Sequence, residues 1–352
     1  MSLFPTQFQI ISDIHLETPK SKPTYTHFSK AANFPTKASN LCLLGDIGLV
    51  NQEEQLFAFL TSLLDRTPNL KIYYVLGNHE PYETTLEYAV SALERFETES
   101  RRRYSDRFYF MNRRRIDMCN ISILGCTLWS NISTQAQRCS TTLTDFHDTH
   151  GIKVNDPEVG MRARTVADHN KDHATDLAWL NDRVTNIEAE DSRREILILT
   201  HHSPTMDPRA NNPVHAESNV REGFRTDLSE EICWRSKQVR LWAFGHTHYS
   251  CAFQDLEGDG ASKLVVANQK GYTRHQELNG TFQLVGYSMR ILVVTADKPW
   301  TFEWGHEVPA SESAANQSTQ REQEPAAASK PKVRVRGALG RLLKLGKGSR
   351  DA

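Results

Sequence analysis

The chain alternates short apolar runs with longer stretches in which apolar residues recur at every third or fourth position. The runs at 8–11, 40–44, 71–76, 121–125, 195–200, 239–244, 263–267 and 290–295 are strand-sized. Several are rich in β-branched and aromatic residues, which predicts β-strands. Between them, Leu56, Phe57, Leu60, Leu63 and Leu64 set a helical stripe within 53–64, and Leu86, Ala89, Val90, Leu93 and Phe96 set another within 85–96. A longer pattern over 163–187 places Leu177, Leu180 and Val184 on one face. Strands and helices in alternation imply an α/β layered fold with helices outside a central sheet. From 239 to 295 the pattern turns mostly to strands, as if a second sheet packs on the first.

Composition narrows this little. With 352 residues, 38% of them hydrophobic and 24% charged, the chain has the make-up of an ordinary globular protein with a large core. A net charge of -1 argues against a protein built mainly to grip nucleic acid. The opening MSLFPTQFQIISD has no basic start and no long apolar run, and no stretch approaches the ~18 apolar residues of a membrane span. The six cysteines form no CxxC pair, which fits a reduced, cytoplasmic protein. Residues 1–306 read as one domain; 307–352 lose all apolar periodicity, turn basic, and read as a disordered tail.

The chemistry lies just beyond the apolar runs. After 8–11 come Asp13 and His15; after 40–44, Gly45 and Asp46; after 71–76, Gly77, Asn78, His79 and Glu80. After 195–200 come His201 and His202, and after 239–244 come Gly245, His246, Thr247 and His248. Open α/β sheets bind ligands beyond the carboxyl ends of their strands, so five polar clusters at five such ends would converge on one cleft. Imidazole with carboxylate suits Mn, Fe, Zn or Co, and the lack of cysteine in these clusters argues against a structural zinc site. In Asp13-x-His15 and His246-x-His248, alternate side chains of an extended segment point the same way, so neighbouring ligands can come from one strand end.

The ordered set DxH, GD, GNHE, HH and GHTH resembles the calcineurin-like metallophosphoesterase superfamily, across nearly all of the chain but its tail. The resemblance implies a double β-sandwich of mixed sheets flanked by helices, with two divalent metal ions (Mn, Fe, Zn, Mg or Co) at the strand ends. By motif, Asp13, His15 and His248 would hold the first ion, Asp46 would bridge to the second, and Asn78, His201 and His246 would complete the second site. His202 is the alternative to His201. His79 would not ligate but would orient the phosphoryl group or protonate the leaving oxygen. The implied reaction is hydrolysis of a phosphomonoester or phosphodiester by a hydroxide bridging the two metals.

The departures bear on the substrate. Serine/threonine phosphatases of this superfamily carry GDxVDRG, whereas Leu49 and Val50 stand here in place of the second Asp and the phosphate-gripping Arg. That points toward a small phosphorylated substrate, with a nuclease as the alternative should Arg101–Arg103 and Arg113–Arg115 form a basic groove. The stretch 131–164, with Asp145, His147, Asp148 and His150, reads as a loop that shapes substrate entry. Asn268 and Tyr272 are candidates to line the cleft, and His169 and His173 read as helix-packing residues.

Overall fold

The computed structural model describes residues 5–257, 261–272 and 290–306; the expected tail, 307–352, lies outside them. In chain order the strands are β1 (Thr6–Ile11), β2 (Asn40–Leu44), β3 (Lys71–Val75), β4 (Phe108–Phe110), β5 (Arg114–Met118), β6 (Ile121–Cys126), β7 (Lys153–Asp156), β8 (Gly160–Ala163), β9 (Glu195–Thr200), β10 (Val239–Phe244), β11 (Cys251–Glu257), β12 (Ala261–Ala267), β13 (Arg290–Ala296) and β14 (Thr301–His306). The helices are α1 (Tyr25–Phe28), α2 (Glu53–Arg66), α3 (Leu86–Tyr104), α4 (Ala136–Thr142), α5 (Val166–Glu190) and α6 (Ile232–Arg235).

Two six-stranded sheets carry the site, ordered β14-β13-β1-β2-β3-β4 and β11-β12-β10-β9-β6-β5. In the first, β1 to β4 run parallel and β13 pairs antiparallel with β1. In the second, β12, β10, β9 and β6 run parallel between antiparallel edges. The strand-rich segment after residue 239 is therefore divided. β11 and β12 extend the second sheet, while β13 and β14 return to the first.

Residue alternation explains why the sheets stack. Side chains on a strand point alternately to opposite faces, and in the parallel strands both faces are apolar, as sheets covered on both sides require. Phe8, Ile10, Cys42, Leu44, Tyr73 and Val75 of the first sheet meet Ile123, Leu197, Leu199, Leu241, Ala243 and Val266 of the second in one buried cluster. The opposite face of the first sheet, through Leu41, Leu43, Ile72 and Tyr74, packs on Leu56, Leu60, Leu63 and Leu93 of α2 and α3. The opposite face of the second, through Ile196, Ile198, Trp242 and Phe244, packs on Leu180, Val184 and Ile187 of α5. The result is helix, sheet, sheet, helix.

The helices start where local chemistry dictates. Thr165 caps α5 in a reciprocal box with Asp168, so the helix begins at Val166 rather than 163, and Ala163 closes the β7–β8 hairpin. The helical stripe of 85–96 runs on to Tyr104, because Arg101 and Arg103 find Glu97, Asp106 and Asp65 as partners. Truncating the inter-sheet core has a definite expected cost. Leu241→Ala, at a fully buried position between the layers, is expected to destabilise the fold by about 2–5 kcal/mol, read as a lowered denaturation midpoint in urea.

Candidate metal centre

The carboxyl ends of β1, β2 and β3 in one sheet and of β9 and β10 in the other open onto the same cleft, and each delivers polar side chains to it. Asp13, His15, Asp46, Asn78, His201 and His246 are buried there, and the His248 side chain is 29% exposed. One cluster of potential donor atoms comprises Asp13, His15 and His248, and a second comprises Asp46, His201 and His246; within each, the atoms lie no more than 4.8 Å apart. The notable backbone feature is φ. Asp13, His15, Asp46, His246 and His248 all take positive values, between 50° and 68°. Non-glycine residues adopt this region at a cost, and such residues collect at functional sites. Gly45, at φ 81°, could not carry a side chain, since a Cβ would meet His201 Nδ1 at 2.5 Å and Gly77 Cα at 2.7 Å.

Hydrogen bonds on the far side of each ring fix which nitrogen faces the cleft. His201 Nδ1 donates to the Leu44 carbonyl at 2.8 Å, which turns a bare Nε2 inward. His246 Nε2 donates to the Gly223 carbonyl at 3.2 Å, leaving Nδ1 as an acceptor. His15 Nδ1 faces Glu17 Oε1 at 3.2 Å. Asn78 is oriented by Asp145 Oδ1, which accepts from Asn78 Nδ2 at 2.8 Å and from the Tyr82 hydroxyl at 2.6 Å.

Lone pairs therefore face lone pairs. His201 Nε2 lies 3.0 Å from Asn78 Oδ1, 3.1 Å from His246 Nδ1 and 3.4 Å from Asp46 Oδ1. His15 Nε2 lies 3.0 Å from His248 Nε2, which is 3.3 Å from Asp13 Oδ1. Around His201 Nε2, with His201 Nδ1 and His246 Nε2 already donating elsewhere, neither ring has a proton to place among Nε2, His246 Nδ1 and the Asn78 oxygen, whereas a cation would satisfy all three. Donors placed ~2.1 Å from an octahedral ion stand ~3.0 Å from their neighbours, so the donor set fits divalent metal. Second-layer contacts of this kind set the tautomer and orientation of metal-ligating histidines.

The electrostatics agree. Burial lowers His201, drives His246 well below the usual imidazole range, and takes His15 to about 3, so these rings stay neutral. Burial pushes Asp46 well above the carboxylate range, and Glu80 and Asp13 add to this against the pull of His79. Burial would raise Asp13 too, but its hydrogen bond to His248 and the charge of that ring hold it low. His79 behaves differently. Burial opposes its charge, yet Asp46 and Glu17 raise it to about 9. Its Nδ1 is 3.2 Å from Glu17 Oε1 and its Nε2 is 2.7 Å from the Tyr272 hydroxyl.

Of the two adjacent histidines, His201 faces the donor set. His202 packs among Trp129, His169 and His246, and neither of its ring nitrogens has a hydrogen-bond partner among the described residues. His169 contacts Ser130 and His173 contacts the Leu128 carbonyl, as helix-packing residues do. Asp145 and Tyr272 line the cavity; Asn268 instead braces the Ile10 carbonyl. His150 pairs with Glu83 and Asp148 with Lys153, away from the donor atoms. The expected loop of 131–164 holds α4 and the β7–β8 hairpin.

Three contributors to the site carry little or no signal in the sequence. Glu80 accepts from the backbone N–H groups of Asp46, Ile47 and Gly77 and from the Tyr74 hydroxyl, binding the ends of β2 and β3 together. Glu17 joins His15 to His79, and Tyr82 bridges Asn78 to Asp145. Glu80 could have been found from the GNHE motif, since an acid in a tight turn after a strand is positioned to collect amide protons; Glu17 and Tyr82 carry no such signal.

Residues 7–250 match the family model described as calcineurin-like phosphoesterase. The chain belongs to that family. As a calcineurin-like phosphoesterase it is a metal-dependent hydrolase of phosphoesters, and its mixed sheets flanked by helices are the family fold. An uncharacterized protein, L509, of Acanthamoeba polyphaga mimivirus is 27% identical over 279 residues, covering 76% of this chain and 91% of that protein. Phosphopantetheinyl hydrolase from Mycobacterium tuberculosis shares the fold with a TM-score of 0.51 at 15% identity, over 80% of this chain and 94% of its own. No helix among the described residues is long and apolar enough to cross a membrane.

Proposed function

We propose that this phosphoesterase uses two divalent ions to hydrolyse a small phosphomonoester or phosphodiester. Asp13, His15 and His248 would hold the first ion, Asp46 would be shared, and Asn78, His201 and His246 would complete the second site. The observation that carries this reading is the facing of acceptor against acceptor at about 3 Å among His201, His246 and Asn78, beside a second buried cluster of Asp13, His15 and His248. When bound, such ions generate a nucleophile from water at neutral pH and neutralise charge on the phosphoryl oxygens.

The chain's own groups supply the rest. Leu44 and Gly223, through their carbonyls, and Glu17 hold the imidazoles in one tautomer. Asp145 and Tyr82 keep the Asn78 amide from flipping. His79 is positioned to orient the phosphoryl group or to give its proton to the departing oxygen, with Glu17 retaining the opposite ring nitrogen.

The nuclease alternative has less support. Arg101, Arg103, Arg113, Arg114 and Arg115 each pair with a carboxylate, which leaves little unspent charge for a phosphate backbone. Six free cysteines, five of them buried, support the reducing, cytoplasmic setting.

Metal-stripped protein is expected to be inactive on p-nitrophenyl phosphate and bis-p-nitrophenyl phosphate, and to regain hydrolysis on addition of Mn²⁺. The faster reporter assigns monoester or diester preference. Protein that binds no metal under these conditions would sink the reading.

A further inference from the structure

The cavity over the donor clusters, about 510 Å³, continues away from them along Asn211, Asn212, His215, Arg221, Phe224 and Arg225. A phosphoryl group fills a small part of that volume. Arg225 is 8% exposed, yet its Nε has no hydrogen-bond partner and its guanidinium has no ion pair among the described residues. Arg164, still more buried at 3%, also has an Nε without a hydrogen bond, but its guanidinium has a counter-charge, with Asp172 at 2.6 Å and the Trp129 ring beneath it. Arg221, beside Arg225 on the cavity wall, donates to the Ala216 carbonyl at 3.2 Å and likewise has no carboxylate partner among the described residues. The acids lining the cavity are Asp46, within the donor cluster, and Asp145, engaged by Asn78 and Tyr82. Two neighbouring cations thus line one wall without a counter-charge.

Burying an unpaired guanidinium is costly unless an anion meets it, and the planar fork of Arg suits the paired oxygens of phosphate and carboxylate. The segment is also fixed relative to the donors. The Gly223 carbonyl accepts from His246, the Phe224 ring stacks on His246 at 4.8 Å, and Ser203 pairs with the backbone around Arg225.

We propose that Arg225, with Arg221, forms an anion subsite that selects phosphoesters bearing a second negatively charged group, phosphate or carboxylate, beyond the phosphoryl that is hydrolysed. This rests on the reading of phosphoester hydrolysis at the adjoining centre.

Three aryl phosphates share a scissile group and differ in the second charge: phenyl phosphate, 4-carboxyphenyl phosphate and 1,4-phenylene bisphosphate. In Mn²⁺-loaded full-length protein the quantity read is kcat/KM for each charged member relative to phenyl phosphate. Comparing wild type with Arg225→Gln cancels the electronic differences among leaving groups. The preference is expected to fall about tenfold in Arg225→Gln, the scale of a lost hydrogen bond to a charged group, and in part in Arg225→Lys. Whichever charged member loses more identifies the anion. A preference that does not change, or an equal loss on all three compounds, overturns the subsite. Should Arg225→Gln fail to fold, Arg221→Gln, on the more exposed partner, reads the same ratio. If wild type hydrolyses none of the three, bis-p-nitrophenyl phosphate tests the parent reading, which fails if that diester is not hydrolysed either. Calorimetric titration with phenylphosphonate and 1,4-phenylenediphosphonate then decides the subsite alone: it stands if the second phosphonate tightens binding to wild type and not to Arg225→Gln, and falls otherwise.

Discussion

Asp46→Asn is expected to lower kcat/KM on p-nitrophenyl phosphate by about 10³-fold or more, a loss of about 4 kcal/mol of transition-state stabilisation. Asp46 is almost fully buried, its Oδ1 is 3.4 Å from His201 Nε2, and its Oδ2 is 3.9 Å from His15 Nε2, so one carboxylate stands between the two donor clusters. An amide keeps the shape and one oxygen but cannot present two anionic oxygens. The fold should survive. Burial, with Glu80 and Asp13 nearby, pushes the Asp46 carboxyl well above its usual range in metal-free protein, so folding at neutral pH carries a cost there that the neutral amide removes. The melting temperature without metal is therefore expected to hold or rise, while the stabilisation conferred by added Mn²⁺ shrinks. A variant that loses activity yet keeps the full Mn²⁺-induced shift would contradict the shared role.

The second large effect is expected at His79, and its size should depend on the leaving group. If His79 hands a proton to the departing oxygen, His79→Ala should cost about 10²–10⁴ in kcat on an alkyl phosphate. p-Nitrophenol is acidic enough to depart unassisted, so the same variant should lose far less on that reporter. Equal losses on both would assign His79 to orienting the phosphoryl group. Glu17 and Tyr272 flank the ring on its two nitrogens, so Glu17→Gln should show the same leaving-group dependence in weaker form.

Much of this architecture is legible in the sequence, for reasons that differ by element. The parallel strands are buried on both faces, so their apolar runs are dense and short, and the runs at 40–44, 195–200 and 239–244 delimit their strands to the residue. Edge strands such as β5, which reads Arg-Arg-Ile-Asp-Met and is mostly half-buried, have one solvated side and carry no such run. β4 is three residues long and hides between the arginine clusters. The candidate donors stand out because each follows a strand directly. The residues that orient them come from elsewhere: Asp145 lies beyond α4, 67 positions from its partner Asn78. Arg225 is invisible for a further reason. A lone arginine in a loop looks solvated on paper, and only its burial without a counter-charge distinguishes it.

The candidate donors are divided between the two sheets, and this has a mechanical consequence. Asp13, His15, Asp46 and Asn78 ride on the strand ends of one layer, and His201, His246 and His248 on those of the other. What sets the gap between them is the apolar filling lower down, where Leu44, Val75, Leu199 and Ala243 interdigitate. The centre thus works as a caliper whose jaws are the sheets and whose spacer is the core. Packed interiors transmit small displacements rather than absorbing them. A methylene lost or gained in that spacer should therefore register first as altered metal affinity, while the molecule is still fully folded.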